Sequence, residues 1–159
     1  MLIALDPGPV STGFVVCNGL QIKRSGCMAN DELAPALFPL FTTADTLAIE
    51  MIASYGMPVG REVFETCVWI GRFMEQWVAP EHVQLVYRKD VKMHLCGTPR
   101  AKDANIRQAL IDLYEPTGGG KTPQVGTKAK PGPLFGVSTH AWPALGVAVT
   151  VQAKKEAKQ

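Results

Sequence analysis

Two carboxylates stand where apolar runs end. Asp6 follows Leu2-Ile3-Ala4-Leu5, and Glu50 follows Leu47-Ala48-Ile49. Acidic side chains rarely occupy such positions unless a cation or strong hydrogen bonds compensate their burial. If the two runs are neighbouring strands, both acids meet at one edge of a sheet. Two hard oxygen ligands, completed by water and a substrate phosphate, are the usual provision for Mg²⁺, which demands octahedral geometry and retains several waters. A pair of such ions roughly 3.5 to 4 Å apart can activate water and stabilise the leaving oxygen of a phosphodiester. The same spacing also admits a plainer arrangement, with Asp6 capping the turn Asp6-Pro7-Gly8-Pro9 and Glu50 paired with a lysine.

Five apolar runs and four helical periodicities must position these acids. Met1 to Leu5, Gly13 to Cys17 and Gln21 to Met28 read as an antiparallel meander, with Asn18-Gly19 as a hairpin turn. A helix is predicted from Asp31, with Leu33, Leu37 and Leu40 on one face, Asn30 or Asp31 as its cap, and Pro39 shortening or kinking it. Thr46 to Ile52 reads as a buried strand that delivers Glu50 at or near its end. Apolar residues at Val59, Val63, Cys67, Ile70, Met74 and Trp77 then give the strongest helical signal in the chain. Within it Trp69, Phe73 and Trp77 are expected in the core or at a subunit interface. Val83 to Tyr87 is a further strand, and Ala101 to Tyr114 a helix with Ile106, Leu110 and Leu113 inward. Ser138 to about Val151 closes the chain as a helix. The expectation is one α/β domain over residues 1–159, a mixed five-stranded sheet flanked by helices. The Gly-, Pro-, Lys- and Thr-rich stretch at about 115–136 is expected to be a mobile basic loop, and the chain to end in a solvated tail from about 152.

With 47% apolar and 19% charged residues, the 159-residue chain is not intrinsically disordered over most of its length. Sixteen Lys and Arg against fourteen Asp and Glu, a net charge of +2, permit a nucleic-acid partner without arguing for one. Cys17, Cys27, Cys67 and Cys96 lie far apart, signal neither a zinc site nor a disulfide framework, and are expected as reduced thiols. No apolar stretch approaches the roughly 18 residues of a spanning helix, so no membrane association is expected, and the chain reads as cytoplasmic. Gly118-Gly119-Gly120-Lys121-Thr122 ends like a phosphate-binding loop, but Glu115 replaces the required first glycine and no strand precedes it, so no nucleotide cofactor is expected. His82 and His94 lack partners at ligand spacing.

The opening LIALDPGPVSTGFVV, with Asp-Pro-Gly after the first strand and Thr-Gly at the start of the second, resembles the RuvC-type Holliday-junction resolvases of the RNase H-like superfamily. The resemblance runs on through LAIEMI, the long helix after it, RAKDANIRQAL and the final HAWPALGVAVT, and so covers nearly the whole chain. It implies an RNase H-like fold and four metal-binding side chains: one on the first strand, a Glu on the fourth strand, and two spaced i and i+3 at the start of the last helix. Asp6 matches the first, Glu50 the second and His140 the third, while Pro143 stands at the fourth and cannot bind a metal. The implied catalytic and metal-binding set is therefore Asp6, Glu50 and His140, with Mg²⁺, or Mn²⁺ in its place, as cofactor. Imidazole is a poorer Mg²⁺ ligand than carboxylate, so His140 could instead contact the scissile phosphate or orient water. Asp103 is either a helix cap or a substitute carboxylate.

The activity this resemblance implies is hydrolysis of DNA at four-way junctions by paired symmetric cuts, leaving 5′-phosphate and 3′-hydroxyl ends. Two symmetric cuts imply a homodimer, with the Val59 to Val78 helix as candidate interface. Lys89, Lys92, Arg100, Lys102, Arg107 and the loop residues Lys121, Lys128 and Lys130 would contact phosphates if they share a face with the acids. Tyr55, in the loop after Glu50, could stand beside an unstacked base or pack in the core, and Arg61 could reach the same backbone. A short domain with a long basic loop would suit a phage-encoded enzyme. A related nuclease for other branched DNA or RNA, and a junction-binding protein without catalysis, are the rival expectations.

Overall fold

The structure, a computed structural model, describes residues 1–157. Five strands form one mixed sheet: β1 (Leu2–Pro7), β2 (Ser11–Asn18), β3 (Gln21–Ala29), β4 (Thr46–Met51) and β5 (Gln84–Tyr87), in the order β3-β2-β1-β4-β5. β1, β2 and β3 pair antiparallel, whereas β1 with β4 and β4 with β5 pair parallel. β1 and β4 are therefore internal strands covered on both faces, which explains why LIAL and TLAI are continuous apolar runs instead of alternating ones.

Side chains of alternate parity serve two separate cores. Ile3, Leu5, Leu47 and Ile49 pack beneath α1 (Asn30–Phe41) and α2 (Arg61–Glu75). Ala4, Val15, Ala48 and Val86 pack beneath α3 (Arg88–Cys96), α4 (Asp103–Asp112) and α5 (Ala141–Glu156). Small residues on the second face let α5 lie close across β1 and β2. Its first turn meets β2 at Gly13, where an added Cβ would lie 1.9 Å from the His140 carbonyl oxygen.

Several elements differ from the sequence expectation. α1 runs to Phe41 through both Pro35 and Pro39. Neither expected cap, Asn30 or Asp31, caps it; Asn30 is buried and serves another purpose: its Oδ1 accepts from the Thr12 hydroxyl at 2.6 Å and its Nδ2 donates to the Gly8 carbonyl at 2.9 Å. That amide pins the Asp-Pro-Gly-Pro loop to the start of α1. In α2 the buried stripe is Thr66, Ile70 and Phe73, followed by Trp77. Cys67 points to solvent, while Thr66 takes the buried position with its hydroxyl donating to the Glu62 carbonyl at 2.8 Å; Val59, expected to open the helix, is exposed before its first residue. In α4, Ile106, Leu110 and Ile111 face inward, and Leu113 is exposed just past the last turn. α3 has no counterpart among the expected elements; it buries Val91 and ends at Gly97 with φ 68°, the left-handed stop that favours glycine.

The segment between α4 and α5 contains no helix or strand longer than a single bridge, Gly126 with Pro131, yet it folds on itself. The Gly118 amide donates to Pro123, Gly119 to Lys130 and Leu134 to Gln124, and Leu134 is fully buried. Residues 152–156, expected in the tail, extend α5: Gln152 donates to the Gly19 carbonyl at 2.7 Å and Lys155 to the Thr46 hydroxyl. Lys158 and Gln159, the end of that expected tail, lie outside the described residues. No helix among the described residues is long and apolar enough to cross a membrane.

Candidate active site

β1 and β4 run parallel in register through Leu5 and Ile49, so Asp6 and Glu50 follow side by side at the carboxyl edge of the sheet. Both share the parity of Ala4 and Ala48 and project to the face that carries α5. Burial pushes the Asp6 carboxyl up to about 6, although Arg88 and His140 pull it the other way. Burial, and then the charge of Asp6, push Glu50 up to about 7, against the pull of Arg88. Two neighbouring acids at the end of internal strands are thus short of positive charge.

Arg88 supplies part of it. The first residue of α3, it follows β5 directly and reaches across to β4, with Nη1 3.4 Å from Glu50 Oε2 and Nη2 2.5 Å from Asp103 Oδ1. Asp103 is neither the cap of α4 nor a neighbour of the acids by sequence. It is the first residue of that helix, and the amide of Lys102 before it is satisfied by Asn105 Oδ1 at 2.9 Å. Arg88 is the central site residue that reading the sequence missed. Its signal lay in topology: a residue just past the strand beside β4 must stand next to Glu50.

His140 occupies the cap position of α5, exposed, and lines a cleft of about 290 Å³ with Asp6, Gly8, Gly13 and Cys27. Pro143, the third residue of α5, is tolerated there because the first-turn amides of a helix have no intrahelical acceptor. It lines a second cleft, of about 430 Å³, with Arg88, Asp103, Arg107, Thr139 and Trp142. There the Arg107 guanidinium lies 4.8 Å from the Trp142 ring centroid. Tyr55, Lys89 and Lys92 line a third cleft, of about 310 Å³, again with Arg88. Tyr55 is 64% exposed with φ 49°, so it is not packed in the core.

The remaining expected basic residues line none of these three clefts. Arg61 pairs with Glu65 at 2.6 Å and lines a separate cleft with Pro9 and Val10 of the loop after Asp6. Arg100 and Lys102 are exposed between α3 and α4. Lys121, Lys128 and Lys130 are exposed on the loop and line none of these three clefts.

The chemistry of the donors suits a divalent cation in charge and hardness: two adjacent carboxylates, a third on Asp103, and one arginine among them. Among the described residues no three His, Cys, Asp or Glu side chains are grouped to hold one ion. Asp6 and Glu50 would be the carboxylates to hold it, with His140 in the cleft beside Asp6 and water and phosphate completing the shell. A pH effect follows without any ion present. Both acids bind protons more tightly folded than unfolded, so their contribution is full below about pH 4 and is lost as pH rises through about 6 and 7. In EDTA, the urea midpoint of the wild type should fall more between about pH 5 and pH 8 than that of an Asp6→Asn/Glu50→Gln variant. Equal slopes would show that burial does not perturb these acids.

Solved structures of similar fold include two of Thermus thermophilus RuvC. Thermus thermophilus RuvC in complex with Holliday junction substrate superposes with a TM-score of 0.70 at 14% identity, over 99% of this chain and 95% of that one. The chain has the fold of RuvC. A second Thermus thermophilus RuvC structure gives a TM-score of 0.65 at 13% identity, over 99% and 96%. No family model matches the sequence, and no curated protein matches it. The RuvC-like fold is thus an RNase H-like mixed sheet flanked by helices, held by a sequence that shares few residues with those neighbours.

Proposed function

We propose that this chain is a divalent-metal-dependent endonuclease that resolves four-way DNA junctions by paired hydrolytic cuts. The observation that carries this reading is the side-by-side placement of Asp6 and Glu50 on the fold of RuvC, one of whose structures holds a Holliday junction substrate. Asp6 and Glu50 would hold Mg²⁺ or Mn²⁺, which when bound would supply activation of water and stabilisation of the leaving oxygen. His140, exposed on the cleft beside Asp6, orients the attacking water. Tyr55, Lys89 and Lys92 on one side and Arg107 on the other hold the strands that enter and leave, a reading supported by their lining two clefts that share Arg88. Arg100, Lys102 and the loop lysines add phosphate contacts farther out.

Cutting of a labelled four-way junction, against linear duplex and a flap, with Mg²⁺, Mn²⁺ or EDTA, tests the reading. Paired symmetric nicks confined to the junction and lost in EDTA are expected. Pro143 favours a second reading, a junction-binding protein without catalysis, since it removes a donor from the start of α5. Tight junction binding with no cut in either metal would establish that alternative.

Paired cutting requires a two-fold dimer. α2 offers an unpartnered surface in which Phe64 is 61% and Val68 54% exposed, beside Val10 at 74%. Phe64→Glu should turn a dimer into a monomer by sedimentation velocity and convert paired cuts into single nicks. A variant that stays dimeric would move the interface elsewhere.

A further inference from the structure

Arg88 touches both sides of this site. Its guanidinium pairs with Glu50 and Asp103, and it lines both the cleft containing Arg107, Thr139 and Pro143 and the cleft containing Tyr55, Lys89 and Lys92. Its side chain is 24% exposed and that of Asp103 83%. A pair with so exposed a partner adds little to stability. What it does is aim: Asp103 on α4 and Glu50 on β4 hold the guanidinium plane between them. An arginine has five N–H donors, and two ion pairs leave several free toward the open clefts.

The surroundings explain why a fixed cation is needed here. Three carboxylates, Asp6, Glu50 and Asp103, repel a DNA phosphate. Pro143, in the first turn of α5, offers no further donor with which a second divalent ion could be held. We propose that Arg88 is a catalytic residue that donates hydrogen bonds to the scissile phosphate and takes the place of a second divalent ion, with Asp103 as its positioning residue. This rests on the nuclease reading above. In the hydrolysis, a bond forms from water oxygen to phosphorus and the bond from phosphorus to the 3′-oxygen breaks. One water proton is released to solvent, and the departing 3′-oxygen takes one up. Arg88 keeps all its protons, because guanidinium does not titrate in this range. Its charge compensates the negative charge that develops on the phosphate oxygens, and its planar fork suits two of them at once.

The test uses the full chain as Arg88→Ala, Arg88→Lys and Asp103→Asn, with folding checked by thermal melts. Single-turnover junction cutting in Mg²⁺ should fall about 100-fold or more in Arg88→Ala and recover partly in Arg88→Lys, which keeps charge without the fork. Independently of activity, electron paramagnetic resonance of Mn²⁺ with a junction present should count one ion per protomer in the wild type. Asp103→Asn should leave Mn²⁺ affinity within about threefold, as expected of a residue that holds Arg88 and not the ion. Two Mn²⁺ ions per wild-type protomer, a tenfold loss of Mn²⁺ affinity in Asp103→Asn, or wild-type cutting by Arg88→Ala would each overturn the role of Arg88 while leaving the nuclease reading intact. A wild type that cuts no junction in either metal would overturn both.

Discussion

Asp6→Asn should leave junction binding unchanged or tighter while cutting falls by about three orders of magnitude, close to 4 kcal/mol of barrier. The side chain is nearly isosteric, so β1 and its register with β2 and β4 stay as they are. What disappears is one of two adjacent anionic oxygen donors at a point where burial already disfavours charge. Removing that charge also lessens the repulsion of phosphate, which is why binding need not suffer. Gel-shift affinity in EDTA alongside single-turnover cutting in Mg²⁺ separates the two quantities. A variant that cuts at even a tenth of the wild-type rate would mean that Asp6 is not at the reacting centre. The same experiment on Glu50→Gln should agree, because Glu50 lies one strand away at the same level of the sheet.

Gly13→Ala is the second large effect, and it acts through the backbone. The new Cβ would lie 1.9 Å from the His140 carbonyl oxygen and 2.9 Å from its carbon. No rotamer relieves a contact between two backbones, so the first turn of α5 must lift away from β2. A loss of about 3 kcal/mol in urea unfolding is expected, at the upper end of the cost of overpacking. Cutting should fall as well, since His140 and Pro143 move with that turn. Gly71→Ala is the matching control: it lies in α2 with open space around its Cα and should be neutral or slightly stabilising. If Gly13→Ala unfolds like the wild type, the close approach of α5 to β2 is not a feature of the protein in solution.

The parts of the fold that were legible in the sequence are those set by local pattern. LIAL and TLAI read as buried strands because each is apolar at every position, and the structure covers both faces of β1 and β4. Asn18-Gly19 read as a hairpin turn, and it joins β2 to β3. α3 went unread because only Val91 of its nine residues is buried, which leaves almost no periodicity to detect. The phase of α2 was misread for a related reason. A helix apolar at Val63 and Cys67 as well as Ile70 and Phe73 carries more than one candidate stripe, and contact with the sheet decides which stripe is buried.

The same division runs through the candidate site. The sequence alone singled out Asp6 and Glu50, because each closes an apolar run where a carboxylate is rare, but it left open a turn cap for Asp6 and a lysine partner for Glu50. The Asp-Pro-Gly turn and the Thr-Gly that starts β2 belong to the same local record. Only the tertiary structure decided that the two acids are neighbours, that Arg88 stands against Glu50, and that Asp103 holds Arg88 from the other side. Those three facts depend on β4 pairing with β1 on one edge and β5 on the other. Such pairings join residues far apart in the chain, and their energy comes from apolar surface buried between elements, which no short window of sequence contains.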